Sequence, residues 1–158
     1  MTLQQPSRDP LDVGPGGPVS RALAQVVRLH RTAAGELLKN TGLYPGQEVL
    51  MMHLWAAGVV RQADLINALG LDPSTVTKML QRLQRAGKVS RTTDPADRRA
   101  VLVEATESSR PLRTEIEAAQ KRLEERTVAG LDPAERAELQ RLLEKVAAYL
   151  RLQNGPCP

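Results

Sequence analysis

The stretch LDPSTVTKMLQRLQRAG, Leu71 to Gly87, decides how the rest of the chain is read. Asp72 offers a carboxylate to cap a helix, and Pro73, which has no N–H to satisfy, suits the first helical position. The spacing therefore predicts a helix that starts at Pro73 and is ended by Gly87. Within it Val76, Met79, Leu80 and Leu83 recur at i, i+3, i+4 and i+7, which makes one apolar stripe that has to pack on something. At about 100° per residue, Ser74, Lys78, Gln81 and Arg85 fall opposite the stripe, with Thr75, Thr77 and Arg82 on its flanks. That outer face carries no carboxylate. Lys and Arg reach guanine or phosphate, Gln reaches adenine, and Ser and Thr reach either, so the face fits a DNA major groove. Taken alone, a solvated helix surface has the same composition, and the neighbouring segments decide between the two.

Upstream, Ala63 to Leu69 is a short helical run with Leu65, Ile66, Ala68 and Leu69 as its apolar residues, broken by Gly70. Two short helices joined this way read as a helix-turn-helix whose second member enters the groove. Downstream, Val89-Ser90-Arg91-Thr92 and Ala100-Val101-Leu102-Val103 read as strands around Thr93 to Arg99, where Asp94-Pro95 is turn chemistry. The result is a hairpin with a basic tip.

This order of helix, helix, strand, basic turn and strand resembles the winged helix-turn-helix of the MarR family of transcriptional regulators. The resemblance is carried by LDPSTVTKMLQRLQRAGKVSR and DPADRRAVLVEAT, with Asp97-Arg98-Arg99 matching the D-x-R motif of that family's wing, and it extends over roughly Val19 to Gln153. Ala105 stands where a Leu commonly precedes the Thr after the wing, and Ser109 where a Gly is usual. The resemblance implies a mainly α (α+β) fold: a winged helix-turn-helix at about residues 45–104, with dimerisation helices at about 19–40 and 106–153. It also implies a homodimeric repressor on a pseudo-palindromic operator, released by a small-molecule effector. The residues expected to meet DNA are Ser74, Thr75, Thr77, Lys78, Gln81, Arg82, Arg98 and Arg99. Asp97 is expected to position the wing by pairing bidentately with the Arg99 guanidinium, which would aim that side chain at a narrow A·T minor groove while Arg98 meets phosphate.

Composition agrees with one ordinary globular domain of 158 residues, 41% hydrophobic and 25% charged. The charge is localised. From Ser74 to Arg99 seven basic residues stand against two acidic ones, a local surplus above the whole chain's +4, whereas from Thr106 to Gln153 nine basic residues balance nine acidic ones. A phosphate-binding surface needs such a local footprint. No apolar run approaches the roughly 20 residues needed to cross a bilayer and no signal core opens the chain, so no membrane is expected as a partner and the expected compartment is the cytoplasm. The single cysteine, Cys157, allows no internal disulfide, and with His30 and His53 as the only histidines no zinc cluster is expected.

In chain order, residues 1–18 hold four prolines and three glycines and are expected to form a flexible arm. A broad apolar face from Val19 to Leu38, which includes Val26, Val27 and His30, predicts a first helix ending near Asn40. Pro45 is expected to open a second helix through Trp55 that Gly58 closes; Val49, Leu50, Met51, Met52 and Leu54 make it apolar nearly all round, a buried hub. Val59-Val60-Arg61 is expected as a short strand. Thr106 is expected to cap a long helix to about Gly130, kinked by Pro111, whose stripe of Leu112, Ile116, Ala119 and Leu123 suits a partner helix. Asp132-Pro133-Ala134-Glu135 announces a last helix carrying Leu139, Leu142, Leu143, Val146, Ala147 and Leu150, with residues 154–158 as a flexible tail. Apolar stripes on the terminal helices would leave an exposed patch larger than a monomer usually tolerates, so a partner subunit is expected to cover them.

No nucleophile with a neighbouring base, no glycine-rich phosphate loop and no metal cluster is found, so neither enzyme activity nor a cofactor is expected. A second function class stays open, since winged helices also dock other proteins. Charge on the groove-facing side discriminates, and Lys78, Arg82, Arg98 and Arg99 favour nucleic acid. With Tyr44, Trp55 and Tyr149 as its only aromatic residues, the chain lacks the stacking platforms of RNA binders. The same scarcity argues against an aromatic cage for an effector, which leaves its site unassigned, with Arg28, His30, Tyr44 and His53 as polar candidates.

Overall fold

The computed structural model describes residues 16–154. Most of the expected arm, and Cys157 with nearly all of the expected tail, lie outside the described residues. In chain order the elements are α1 (Pro18–Leu38), α2 (Gln47–Ala57), β1 (Val60–Arg61), α3 (Gln62–Leu69), α4 (Pro73–Arg85), β2 (Val89–Asp94), β3 (Asp97–Ala105), a 3-10 turn (Glu107–Ser109), α5 (Leu112–Val128) and α6 (Pro133–Asn154). They fall into two compact units, one ending at Leu123 and one beginning at Glu124. The mainly helical winged helix-turn-helix expected from the sequence is present.

The first unit is built on α2. Leu50, Met51 and Leu54 are buried, and around them pack Leu65 of α3, the Val76, Leu80 and Leu83 stripe of α4, Val89 and Val103 of the sheet, and Ile116 and Ala119 of α5. Val49, expected within the buried hub, is about half exposed, at 49%. The helix is apolar all round, but its neighbours cover only part of its circumference. Nor does α2 begin at Pro45. Gly46 sits at φ +100°, which no helical residue adopts, so the helix opens at Gln47. Side chains take over the capping there: the Tyr44 N–H donates to Gln47 Oε1 at 3.0 Å and the Gly46 N–H to Glu48 Oε2 at 2.6 Å. Burial raises the Glu48 carboxyl above its ordinary value, opposed by hydrogen bonds from its own backbone N–H and from that of Gly46.

The sheet runs β1-β3-β2, antiparallel throughout, with Val60 opposite Val103 and Val89 opposite Ala105. Both strands of the hairpin are longer than expected and the turn is correspondingly tight, with Pro95 and Ala96 alone between β2 and β3. The reason is chemical: Asp94, whose Oδ1 accepts the Ala96 N–H at 2.9 Å, closes the turn with its own side chain.

The helix after the wing also differs from expectation. Thr106 does not cap it; its hydroxyl donates to the Gly87 carbonyl at 2.7 Å, and the chain makes a 3-10 turn before Pro111 and enters α5 at Leu112. Ser109, which departs from the resembled pattern, is buried; it accepts the Trp55 indole N–H at 3.1 Å and donates to the Thr106 carbonyl at 2.7 Å. Half of the α5 stripe is used within the winged unit, since Ile116 and Ala119 complete its core, while Leu112 and Leu123 are half-buried. On α1 only Ala34 and Leu38 are buried; Val19, Val26 and Val27 are exposed, and so is His30.

In the second unit α6 starts as its sequence announces. Asp132 and Glu135 bond each other's backbone N–H reciprocally, each at 2.9 Å. Leu142, Leu143, Val146 and Leu150 along α6 are exposed, and a groove of about 590 Å³ runs between the last turns of α5 and α6.

Candidate nucleic-acid interface

Helix α4 is held at both ends and along its back. At its start Asp72 accepts the Thr75 N–H at 3.1 Å and the Ser74 hydroxyl, and these bonds, the hydroxyl's first, hold the Asp72 carboxyl below its ordinary value. At its end Gly87, at φ +69°, lets the Lys88 N–H reach the Leu83 carbonyl (2.9 Å) and its own N–H reach that of Gln84 (3.0 Å), a Schellman motif. Along its back Val76, Leu80 and Leu83 are buried and Met79 is partly so. The rotation of the helix about its axis is thereby fixed.

The sequence-predicted contact residues separate into two kinds. Lys78, Gln81 and Arg82 are exposed on the outer face, as is Thr75. Ser74 is exposed as well, but its hydroxyl proton is taken by Asp72. Thr77 is half-buried; its hydroxyl donates to the Pro73 carbonyl at 2.8 Å and meets Gln62 Nε2 at 3.4 Å. Its side chain braces α4 against α3.

The wing extends from the same unit. Arg91 of β2 donates from Nε to Gln84 Oε1 at 2.8 Å, which ties the hairpin's base to the last turn of α4. Arg98 and Arg99 are exposed on β3, just past the turn rather than on it. The Asp97 carboxylate does not pair with the Arg99 guanidinium as expected; Oδ1 accepts the Arg99 backbone N–H at 3.0 Å. An oxygen two residues upstream of an N–H closes a small ring that the side chain can make without crossing the strand. Asp97 therefore shapes the Arg99 backbone and leaves the guanidinium free of it.

Two residues that matter here were not among the sequence-based candidates. Arg61 Nη2 lies 2.7 Å from Asp94 Oδ2. The Ala96 N–H and, after it, Arg61 hold the Asp94 carboxyl below its ordinary value against the opposing effect of burial. Asp94-Pro95 announced a turn, but nothing local announced a partner 33 residues away. A groove of about 440 Å³ opens between the first turn of α3 and β3, lined by Arg61, Gln62, Ile66, Asp97, Arg99 and Val101 among others, and Gln62 Oε1 is buried without a hydrogen-bond partner.

A cavity of about 10 Å³ lies among Leu37, Leu38, Glu48, Ala119 and Leu123, room for about one water. Arg28, His30 and Tyr44 are exposed and His53 is half-buried, and none of these four lines it. Among the described residues no cluster of His, Cys, Asp and Glu could hold a metal ion, and no helix is long and apolar enough to cross a membrane.

Comparison with known proteins adds four findings. A family model described as "MarR family" matches residues 43–101. The HTH-type transcriptional repressor NicR of Pseudomonas putida is 30% identical over 144 residues, covering 89% of this chain and 91% of that protein. Among solved structures, Bordetella bronchiseptica BpsR, from work on the regulation of its DNA binding by 6-hydroxynicotinic acid, superposes with a TM-score of 0.76 at 29% identity, covering 83% of this chain and 99% of that one. A mutant of MarR from E. coli in complex with operator DNA also gives 0.76, at 26% identity over 82% of this chain and 93% of that one.

The geometry at Asp97 separates two variants. Asp97→Asn keeps an oxygen for the Arg99 N–H and should leave that amide's hydrogen exchange near the wild-type rate. Asp97→Ala removes a bond worth about 1 kcal/mol and should speed exchange there several-fold. Equal rates in both variants would show that the carboxylate does not hold the strand.

Proposed function

Because this chain belongs to the MarR family of transcriptional regulators, we propose that it is a sequence-specific double-stranded DNA-binding repressor. It acts as a homodimer in the cytoplasm and is released from a pseudo-palindromic operator by a small-molecule effector. The observation that carries the DNA reading is the division of α4 into a buried back of Val76, Leu80 and Leu83 and an exposed face of Thr75, Lys78, Gln81 and Arg82 without a carboxylate. In this reading Lys78 and Gln81 meet base edges in the major groove, Ser74, Thr75, Thr77 and Arg82 meet phosphate or base edges beside them, and the wing carries Arg98 to phosphate and Arg99 into the minor groove. Asp97 positions the wing through the Arg99 backbone. The E. coli relative solved on operator DNA supports the DNA-binding reading.

Dimerisation accounts for apolar surface that neither unit buries by itself: Val19, Val26 and Val27 on α1, and Leu142, Leu143, Val146 and Leu150 on α6. A two-fold dimer presents two recognition helices to successive major grooves, hence a roughly palindromic site. The effector reading rests on the relatives. By linkage, such a molecule lowers DNA affinity to the extent that it binds the DNA-competent form less well than the alternative. The 6-hydroxynicotinic acid named for BpsR is the first compound to try.

Three outcomes are expected. On the operator selected from a random duplex pool, Gln81→Ala should cost about 1 to 3 kcal/mol and on unrelated duplex much less; equal losses on both, read by fluorescence anisotropy, would deny base readout. In sedimentation the wild type should be a dimer at micromolar concentration, and Leu143→Asp should shift it to monomer by placing a charge in an apolar layer. Titrating 6-hydroxynicotinic acid into the operator complex should release the protein, whereas unchanged affinity at saturating acid would remove this compound from consideration.

A further inference from the structure

We propose that the Arg61–Asp94 ion pair is the strut that positions the outer half of the wing, with both partners acting as positioning residues and neither as a base-contacting one. The inference rests on the DNA-binding reading above and adds to it a specific cause for the wing's orientation.

The argument begins with what fails to hold the wing. The apolar anchors of the hairpin, Val89 and Val103, lie at its base. From residue 91 to residue 102, Asp94 is the one buried residue; Thr92, Thr93 and residues 95–99 are exposed, and Arg91, Ala100, Val101 and Leu102 are half-buried. Val101 packs partly against the core, and towards the tip a groove of about 440 Å³ opens between α3 and β3. Hydrophobic contact therefore does not fix the tip, and a two-stranded ribbon standing alone twists and bends easily. One charged side chain takes that place. Asp94 ends β2 with its side chain only 10% exposed, and its two oxygens are divided between two tasks: Oδ1 accepts the Ala96 N–H and closes the turn, while Oδ2 accepts from Arg61 Nη2 at 2.7 Å. Arg61 is anchored at the other end. It is the last residue of β1, opposite Leu102 in the ladder, and leads directly into α3. The pair thus links the tip to the helical part of the unit, 33 residues away in sequence. Arg99 lines the same groove, so the strut sets where the groove-reading arginine stands.

The test uses the full-length protein with Arg61→Gln, with Asp94→Asn, which retains an oxygen for the Ala96 N–H, and with both changes together. Circular dichroism should show each variant folded. Without DNA, hydrogen exchange at Ala96, Arg98 and Arg99 should accelerate to a similar degree in both single variants and no further in the double. With DNA, two duplexes share one operator core and differ in A·T-rich or G·C-rich flanks. Each single variant should lose several-fold of the wild-type preference for A·T flanks, the double should lose no more than either, and the slope of log affinity against log salt should not change. Arg61→Lys, which keeps the charge, should recover part of the preference. Wing exchange at wild-type rates in both single variants would overturn the strut whatever happens on DNA. So would additive losses in which Arg61→Gln alone lowers the salt slope by about one, because that result makes Arg61 a phosphate ligand. A wild type that binds no duplex, with wing exchange still accelerated in the variants, would remove the DNA-binding reading and leave the strut standing.

Discussion

The burial of Val76, Leu80 and Leu83 against Leu50, Met51 and Leu54 is the constraint on which the rest depends. Each of these side chains contributes about 1.5 to 3 kcal/mol when taken out of water, and together they allow α4 one rotational setting. A turn of about 100° would put Lys78 or Gln81 into the core and bring Val76 to the surface. The orientation of the exposed face is thus a consequence of the core. The caps at Asp72 and Gly87 fix the length of the helix, and Thr77 against Gln62 fixes its approach to α3.

Much of this was legible in the sequence because it is local. A cap, an N1 proline and a stripe at helical spacing sit within a dozen residues of one another, and so does the Asp132–Glu135 capping box, whose two reciprocal bonds are present. Where the reading failed, the deciding contact was distant or the local signal ambiguous. Pro45 looked like a helix start, but Gly46 at positive φ moved the start to Gln47. The α5 stripe was read as suiting a partner helix, and two of its residues, Ile116 and Ala119, lie in the core of the winged unit. Asp97 was given the guanidinium of Arg99 when the nearer N–H was available. Asp94 signalled a turn and Arg61 a strand, but nothing in a single sequence paired the two across separate elements. The exposure of Thr75, Lys78, Gln81 and Arg82 on α4 was legible, whereas the second roles of Ser74 and Thr77 and the support of the wing were not.

The departure at Ser109 has a physical account. A buried hydroxyl is costly unless bonded, and here it accepts from the Trp55 indole and donates to the Thr106 carbonyl. The Thr106 hydroxyl in turn reaches the carbonyl of Gly87, the residue that ends α4. One chain of hydrogen bonds therefore connects Trp55 at the edge of the core, the end of α4 and the entry to α5. A glycine at residue 109 would leave the indole N–H without this partner, so Trp55 and Ser109 belong together.

The division of α4 has a consequence for how such a protein diversifies. Lys78, Gln81 and Arg82 share no atoms with the packing that holds the helix, and exposed substitutions of this kind usually shift stability by no more than about 0.5 kcal/mol. On the proposed DNA-binding role, a duplicated copy of the gene can therefore exchange these three residues and acquire a new target while its fold is untouched. Ser74 and Thr77 are less free, because their hydroxyls also serve the cap and the contact with α3. Among descendants of this chain, divergence in target choice should begin at positions 78, 81 and 82, while 74 and 77 lag behind, held by the helix they support.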